Sequence, residues 1–185
     1  KILGQTLDDA AGEAYDKIAR TLGLGYPGGP IIDKLAKEGN ANFVEFPRPY
    51  IKEPHYNFSF SGLKTAVINY LHTLNQRGQQ YQVEDIAASF QQAAIDVLVD
   101  KTIKAAEDIK ANKVVLAGGV AANSALRAQL GQRCQDKGMK LFYPNPLLCT
   151  DNGAMIACAG YYRLMEGNIS DLTLNAVPGL SLING

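Results

Sequence analysis

The sequence predicts a helix-rich α/β fold, and three observations carry that prediction. Val83 to Ala111 is the longest helical pattern, with Ile86, Phe90, Ala94, Leu98, Ile103 and Ala106 near a single face. Val114-Val115-Leu116-Ala117 is wholly apolar, the pattern of a strand buried on both faces of a parallel sheet. Further strand-like segments recur at helix-separated intervals.

Residues 1–6 read as a strand ending at Gly4-Gln5-Thr6. Asp8 and Asp9 then offer an N-cap and a first-turn charge for a helix over about 9–23, whose Ala10, Ala14, Ile18 and Leu22 share a face. Pro27-Gly28-Gly29-Pro30 breaks it, and Pro30 suits the first position of a short helix running to Lys37. Residues 40–56 hold three prolines and form an irregular excursion. Asn57 to Phe60 alternates as a strand and leads into a helix from Ser61 to about Leu74, followed by a polar loop over 75–82. After the strand at 114–117 come Gly118-Gly119, a helix over about 123–137 and a strand over 139–143. Asp151 caps or precedes a last helix reaching about Glu166.

At 185 residues and 46% hydrophobic, the chain can bury a sizeable core and suits one domain with a smaller subdomain. Its 18 basic and 18 acidic residues cancel, which argues against nucleic-acid binding by this piece alone, since phosphate neutralisation needs clustered Lys and Arg. No run approaches a membrane helix. Cys134, Cys149 and Cys158 lack CxxC spacing and read as reduced thiols of a cytoplasmic protein. Lacking an initial Met and opening at the edge of a motif, the chain is expected to be a fragment.

The strongest chemical signal is the strand that runs into Gly118-Gly119 and then into a helix start at Asn123. Glycines let backbone approach a flat or anionic ligand, and a helix N-terminus offers free N–H groups. The same pattern also suits an ordinary tight turn, and neither a Walker A loop nor a GxGxxG fingerprint is present. Asp9, Glu13 and Asp16 fall at i, i+4 and i+7, on one helical face. Such carboxylates need water, a cation or hydroxyl donors; a solvated face with Glu13–Lys17 support is the plainer alternative. Gly28-Gly29 adds a second loop able to admit a ligand. Asp151 suits either a helix cap or a hard-metal ligand. His55 and His72 have no metal-ligand spacing, and no GxSxG or Cys–His pair supports nucleophilic catalysis, so no catalytic residue is assigned.

Five blocks, in order, resemble the TsaD family, formerly described as O-sialoglycoprotein endopeptidases. They are Leu3 to Lys17 (LGQTLDDAAGEAYDK), Tyr26 to Pro30 (YPGGP), Phe58 to Thr65 (FSFSGLKT), Gly118 to Asn123 (GGVAAN) and Thr150 to Ala157 (TDNGAMIA). The resemblance implies an actin-like ATPase (ribonuclease H-like) lobe with a mixed sheet flanked by helices. Residues 1–185 would form the C-terminal nucleotide-binding lobe, with a helical subdomain over about 8–111, a strand–glycine–helix segment over about 112–185, and the N-terminal lobe absent. It implies transfer of a threonylcarbamoyl group from its adenylate to N6 of the adenosine beside the anticodon, in tRNAs reading A-starting codons.

By matching position, Asp16, Gly29 and Asn123 contact ATP or the adenylate and Asp33 contributes; Glu13, Gly118 and Gly119 join them as nucleotide-binding candidates from the spacing above. Asp151 matches a carboxylate ligand of one divalent metal, iron by resemblance with zinc or magnesium as alternatives. That metal would be completed by an H-x-x-x-H helix outside these residues, where the acyl-phosphate loop also lies. Implied partners are tRNA on an assembled complex, a TsaB-like paralogue and a TsaE-like ATPase, with no membrane. Competing readings are another actin-like kinase or carbamoyltransferase, a metallo-endopeptidase, and a non-catalytic docking module. An assay for modified adenosine separates the first, and a peptide cleft with a metal-bound water would be needed for the second.

Overall fold

The computed structural model describes residues 1–50 and 52–177. They fall into two compact units, Ile2–Cys149 and, with Lys1, the segment from Thr150 onward. The first unit holds α1 (Ala11–Thr21), α2 (Gly28–Leu35), α3 (Ser61–Gln76), α4 (Val83–Asp108), β1 (Lys113–Val115), α5 (Ser124–Asp136) and β2 (Lys140–Phe142). Short 3-10 turns at Gly119–Ala122 and Pro146–Leu148 follow the two strands. The second unit carries α6 (Gly153–Met165), whose apolar side chains, among them Ile156 and Leu164, are exposed within the described residues.

Two apolar clusters build the first unit, and α4 belongs to both. Tyr15, Ile18 and Ala19 of α1, Ile32 of α2 and Leu63, Val67 and Leu71 of α3 pack against Ile86, Phe90 and Ala94 of α4. Farther along, Ile95, Val99, Ile103 and Ala106 of α4 pack against Val114 of β1 and Leu126, Leu130 and Cys134 of α5. The helix is therefore buried on several faces in its first half, where consecutive residues from Ile86 to Gln91 are all buried. A single apolar stripe describes only part of it.

The sheet is smaller and simpler than the mixed sheet expected. Among the described residues β1 and β2 form a two-stranded parallel pair, Lys113 to Val115 against Lys140 to Phe142. The strand expected over residues 1–6 and the one over 57–60 reduce to an isolated parallel bridge, Thr6 to Phe58. The backbone bonds Leu7 N–H to Phe58 O and Phe58 N–H to Gln5 O connect them, with Gln5 N–H also donating to Asn57 Oδ1 at 3.0 Å. β1 is also not buried on both faces: Val114 points into the second cluster, whereas Val115 is 73% exposed. A pleated strand alternates its faces, and the cluster built from α4 and α5 covers one of them.

Helix starts depart from the local sequence rules in instructive ways. Asp8 does not cap α1, whose N-cap Ala10 has no side-chain bond. Its carboxylate instead accepts the N–H groups of Phe60 (2.8 Å) and Ser61 (3.2 Å) and the Ser59 hydroxyl, capping α3 from 52 residues away. α2 begins at Gly28, two residues before Pro30, with Pro27 as N-cap. Proline is tolerated there because the first turn's N–H groups lack intrahelical partners anyway. At α6 the cap is Asn152, which accepts Met155 N–H at 3.0 Å, rather than Asp151.

Candidate functional site

The carboxylates near the chain start divide between scaffold and site. Asp9 precedes α1, so it does not share a helical face with Glu13 and Asp16 as the spacing suggests. Its two oxygens are taken by Lys17 Nζ at 2.8 Å and Lys64 Nζ at 2.6 Å. Lys17 also meets Glu13 at 2.6 Å, and Glu13 is half exposed. The cation these acids need is thus internal. Hydrogen bonds from Lys17 and then Lys64 hold the Asp9 carboxyl below its ordinary range, and Asp9 and Glu13 push the Lys17 ammonium up.

Asp16 faces the other way. Its Oδ1 accepts the Gly28 N–H at 2.7 Å, which ties the first glycine of α2 to α1. A Cβ on Gly28 would come within 2.5 Å of Ala19 Cβ and 2.8 Å of the Tyr15 carbonyl, so this close helix approach requires glycine. Gly29 is the opposite case: a Cβ there meets nothing within 4 Å. Gly118 is likewise open, with φ at +90°, a conformation that favours glycine. Two glycines therefore present uncovered backbone.

Asp33, near the end of α2, accepts Ser124 N–H at 3.2 Å and the Ser124 hydroxyl at 3.0 Å, binding α2 to the first turn of α5. Asn123, the residue before, is buried; its Oδ1 caps Leu126 N–H at 2.9 Å and its Nδ2 donates to Gln91 Oε1 at 2.7 Å. The side chain of this candidate thus holds the helix start in place. A Cβ on Gly12 would lie 3.5 Å from Val120, so the turn after β1 rests against the start of α1. These contacts bring Asp16, Gly29, Asp33, Gly118, Gly119 and Asn123 into one neighbourhood. Tyr15 lies buried beneath it with an unpartnered hydroxyl among the described residues, its pKa pushed up by burial and then by the charge of Asp33.

Asp151 lies in the second unit, exposed and one residue ahead of the α6 cap. Among the described residues no group of three or more His, Cys, Asp or Glu is placed to hold a metal. Cys134 and Cys149 are buried and Cys158 exposed, all as free thiols. A groove of about 380 Å³ lies away from the glycine turns, at the Thr6–Phe58 bridge, lined by Ile2, Leu3, Phe58 and Lys101 among others. It is mainly apolar, and its lysine ammonium already donates to the His55 carbonyl at 2.6 Å. The open glycines and their carboxylates make the better candidate. Ser124, Gln91 and Lys64 escaped sequence reading; Lys64 sits within the Phe58–Thr65 block, and Ser124 directly follows an asparagine at a helix start.

Fold and candidate site together define a helix-rich α/β protein with open glycine positions beside hydrogen-bonding carboxylates. More particularly, residues 1–158 match the family described as TsaD: tRNA N6-adenosine threonylcarbamoyltransferase, and the chain belongs to that family. It is 54% identical over 98% of its length to the tRNA N6-adenosine threonylcarbamoyltransferase of Clostridioides difficile (strain 630), covering 54% of that protein. The protein of the same name from Desulfitobacterium hafniense (strain Y51) is 56% identical over 98% of this chain, with 53% of its own length covered. That from Caldicellulosiruptor saccharolyticus is 54% identical over the whole chain and 54% covered. The chain spans about half the length of the curated relatives it matches. Among the described residues no helix is long and apolar enough to cross a membrane.

Proposed function

We propose that the protein to which this chain belongs transfers a threonylcarbamoyl group from threonylcarbamoyl-adenylate to N6 of the adenosine beside the anticodon in tRNAs reading A-starting codons. Residues 1–185 serve as its C-terminal nucleotide-binding lobe, of actin-like fold, acting in the cytoplasm. The observation that carries this reading is the family match over residues 1–158, which contains every candidate nucleotide contact. In this reading the backbone at Gly29, Gly118 and Gly119 lies against the adenine nucleotide. Asp16 and Asp33 accept ribose hydroxyls through lone pairs not used by Gly28 and Ser124, Glu13 lines the rim, and Asn123 fixes the helix start whose N–H groups face the ligand.

The described residues do not by themselves fit a metal centre, since Asp151 is a single exposed carboxylate. Asp151 would supply one ligand, and histidines elsewhere in the protein the others. tRNA binds the assembled complex with a TsaB-like paralogue and a TsaE-like ATPase, consistent with the zero net charge of this piece.

The test combines the full-length protein, tRNA, threonylcarbamoyl-adenylate and those partners, and looks for threonylcarbamoyladenosine in digested tRNA by mass spectrometry. Product is expected with the full-length protein and none with residues 1–185 in its place. Gly119→Val, adding a branched side chain in the exposed turn, is expected to weaken adenylate binding by roughly tenfold to a hundredfold without loss of fold. Absence of modified adenosine with the full-length protein overturns the reading.

A further inference from the structure

We propose that Arg127 is a positioning residue that clamps the glycine turn and the loop over residues 144–149 into one arrangement. Arg127 stands in the first turn of α5 and is half-buried. Its Nε donates to the carbonyl of Ala121, in the 3-10 turn that follows Gly118. Its Nη2 donates to the Pro144 carbonyl at 3.1 Å and to Cys149 Sγ at 3.0 Å, and its guanidinium lies 4.5 Å from the centroid of the Tyr143 ring. One side chain thus bonds two segments that share no strand or helix with each other.

Chemistry explains why an arginine is needed. A guanidinium is a rigid planar fork of five N–H donors, so acceptors in different directions are met at once, and its face stacks on an aromatic ring. A lysine ammonium on a flexible stem can reach one of these segments but does not impose their relative geometry. Two acceptors are backbone carbonyls, which fix main-chain position directly. Ala121 is buried, and a buried carbonyl at the end of a turn needs such a donor. The backbone bonds within the turn are short-range ones, Ala121 N–H to Gly118 O and Asn123 N–H to Val120 O. On the far side, Cys149 Sγ also lies 3.6 Å from Asn145 O, closing the loop that two residues later carries Asp151. Resting on the nucleotide reading above, the open backbone at Gly118-Gly119 is set for its ligand by the Arg127 contact at Ala121.

Full-length Arg127→Met and Arg127→Lys proteins are compared with wild type by hydrogen exchange of residues 118–123 and 144–149, by calorimetric ATP affinity and by thermal melting. Expected is faster exchange in both segments together in Arg127→Met, with ATP affinity about tenfold weaker in the folded protein, and partial restoration by lysine at one segment only. Arg127→Lys carries the test alone if the methionine variant does not fold. In Arg127→Met, faster exchange in one segment, in neither, or in both with unchanged ATP affinity overturns the proposal; in Arg127→Lys tested alone, wild-type exchange in both segments or unchanged ATP affinity overturns it. Wild-type protein that binds no ATP overturns the nucleotide reading instead, and the exchange data still decide the clamp.

Discussion

The carboxylate of Asp33 accepts both the backbone N–H and the hydroxyl of Ser124, at 3.2 and 3.0 Å, across 91 residues of sequence. It serves an unpaired amide in the first turn of α5, so it stabilises the fold. Asp33→Ala is expected to cost about 1–3 kcal/mol in urea unfolding of the full-length protein, and Ser124→Ala, which keeps the N–H contact, about 0.5–1.5 kcal/mol. Equal losses would show that the hydroxyl, not the amide, dominates.

Gly28 and Gly29 should separate folding from binding. Gly28→Ala drives a Cβ against Ala19 and the α1 backbone and is expected to destabilise by about 1–3 kcal/mol. Gly29→Ala meets open space within a helix and should be neutral or stabilising by up to about 1 kcal/mol, while lowering adenine nucleotide affinity. Thermal melts with calorimetry read both; a destabilised Gly29→Ala would contradict the geometry.

Gly118→Ala isolates backbone strain. No atom obstructs its Cβ, yet φ of +90° costs an L-residue about 1–3 kcal/mol. A melting temperature equal to wild type would mean that the turn relaxes freely.

Acid should weaken the N-terminal region of the first unit. Burial acts to raise the Asp8 carboxyl, but the donors from Ser59, Phe60 and Ser61 outweigh it, and Lys17 and Lys64 lower Asp9, so both lie below the ordinary value of 3.8. With the folded pKa below the unfolded one, the stabilisation is complete above the ordinary value and is lost as pH falls through the folded one. Urea midpoints should therefore drop as pH falls below about 4. Asp9→Asn should be less stable at pH 7 and show a shallower drop; an unchanged slope would remove Asp9 from the account.

Local patterns were legible and long-range ones were not. The spacing in 83–111 and the glycine turn before Asn123 gave α4 and the α5 cap nearly to the residue, because periodicity and capping are local. Sequence proximity puts Asp8 on the nearest helix, whereas its partners are Ser59, Phe60 and Ser61, beside the Thr6–Phe58 bridge. Arg127 was invisible for a similar reason, since carbonyl acceptors leave no residue-type signal. The family blocks marked Asp16 and Asp33, but not that Gly28 and Ser124 hold them. Val115 reads as buried from composition alone, although only the alternate face of β1 packs into the cluster of α4 and α5.

The 26-residue α4 also bears on how the chain is made. Its first half completes a cluster whose other members all precede it in sequence, from Ala11 onward. Its second half waits for Val114, Leu126, Leu130 and Cys134. As translation proceeds from the N-terminus, the first cluster can close while the latter half of α4 still exposes Ile95, Val99 and Ile103. Synthesis thus has a vulnerable interval, which ends when α5 clears the ribosome. Nascent chains arrested with residue 110 just outside the exit tunnel should resist protease up to about Leu98 and be cut beyond it, and those arrested after residue 142 has emerged should resist throughout both clusters.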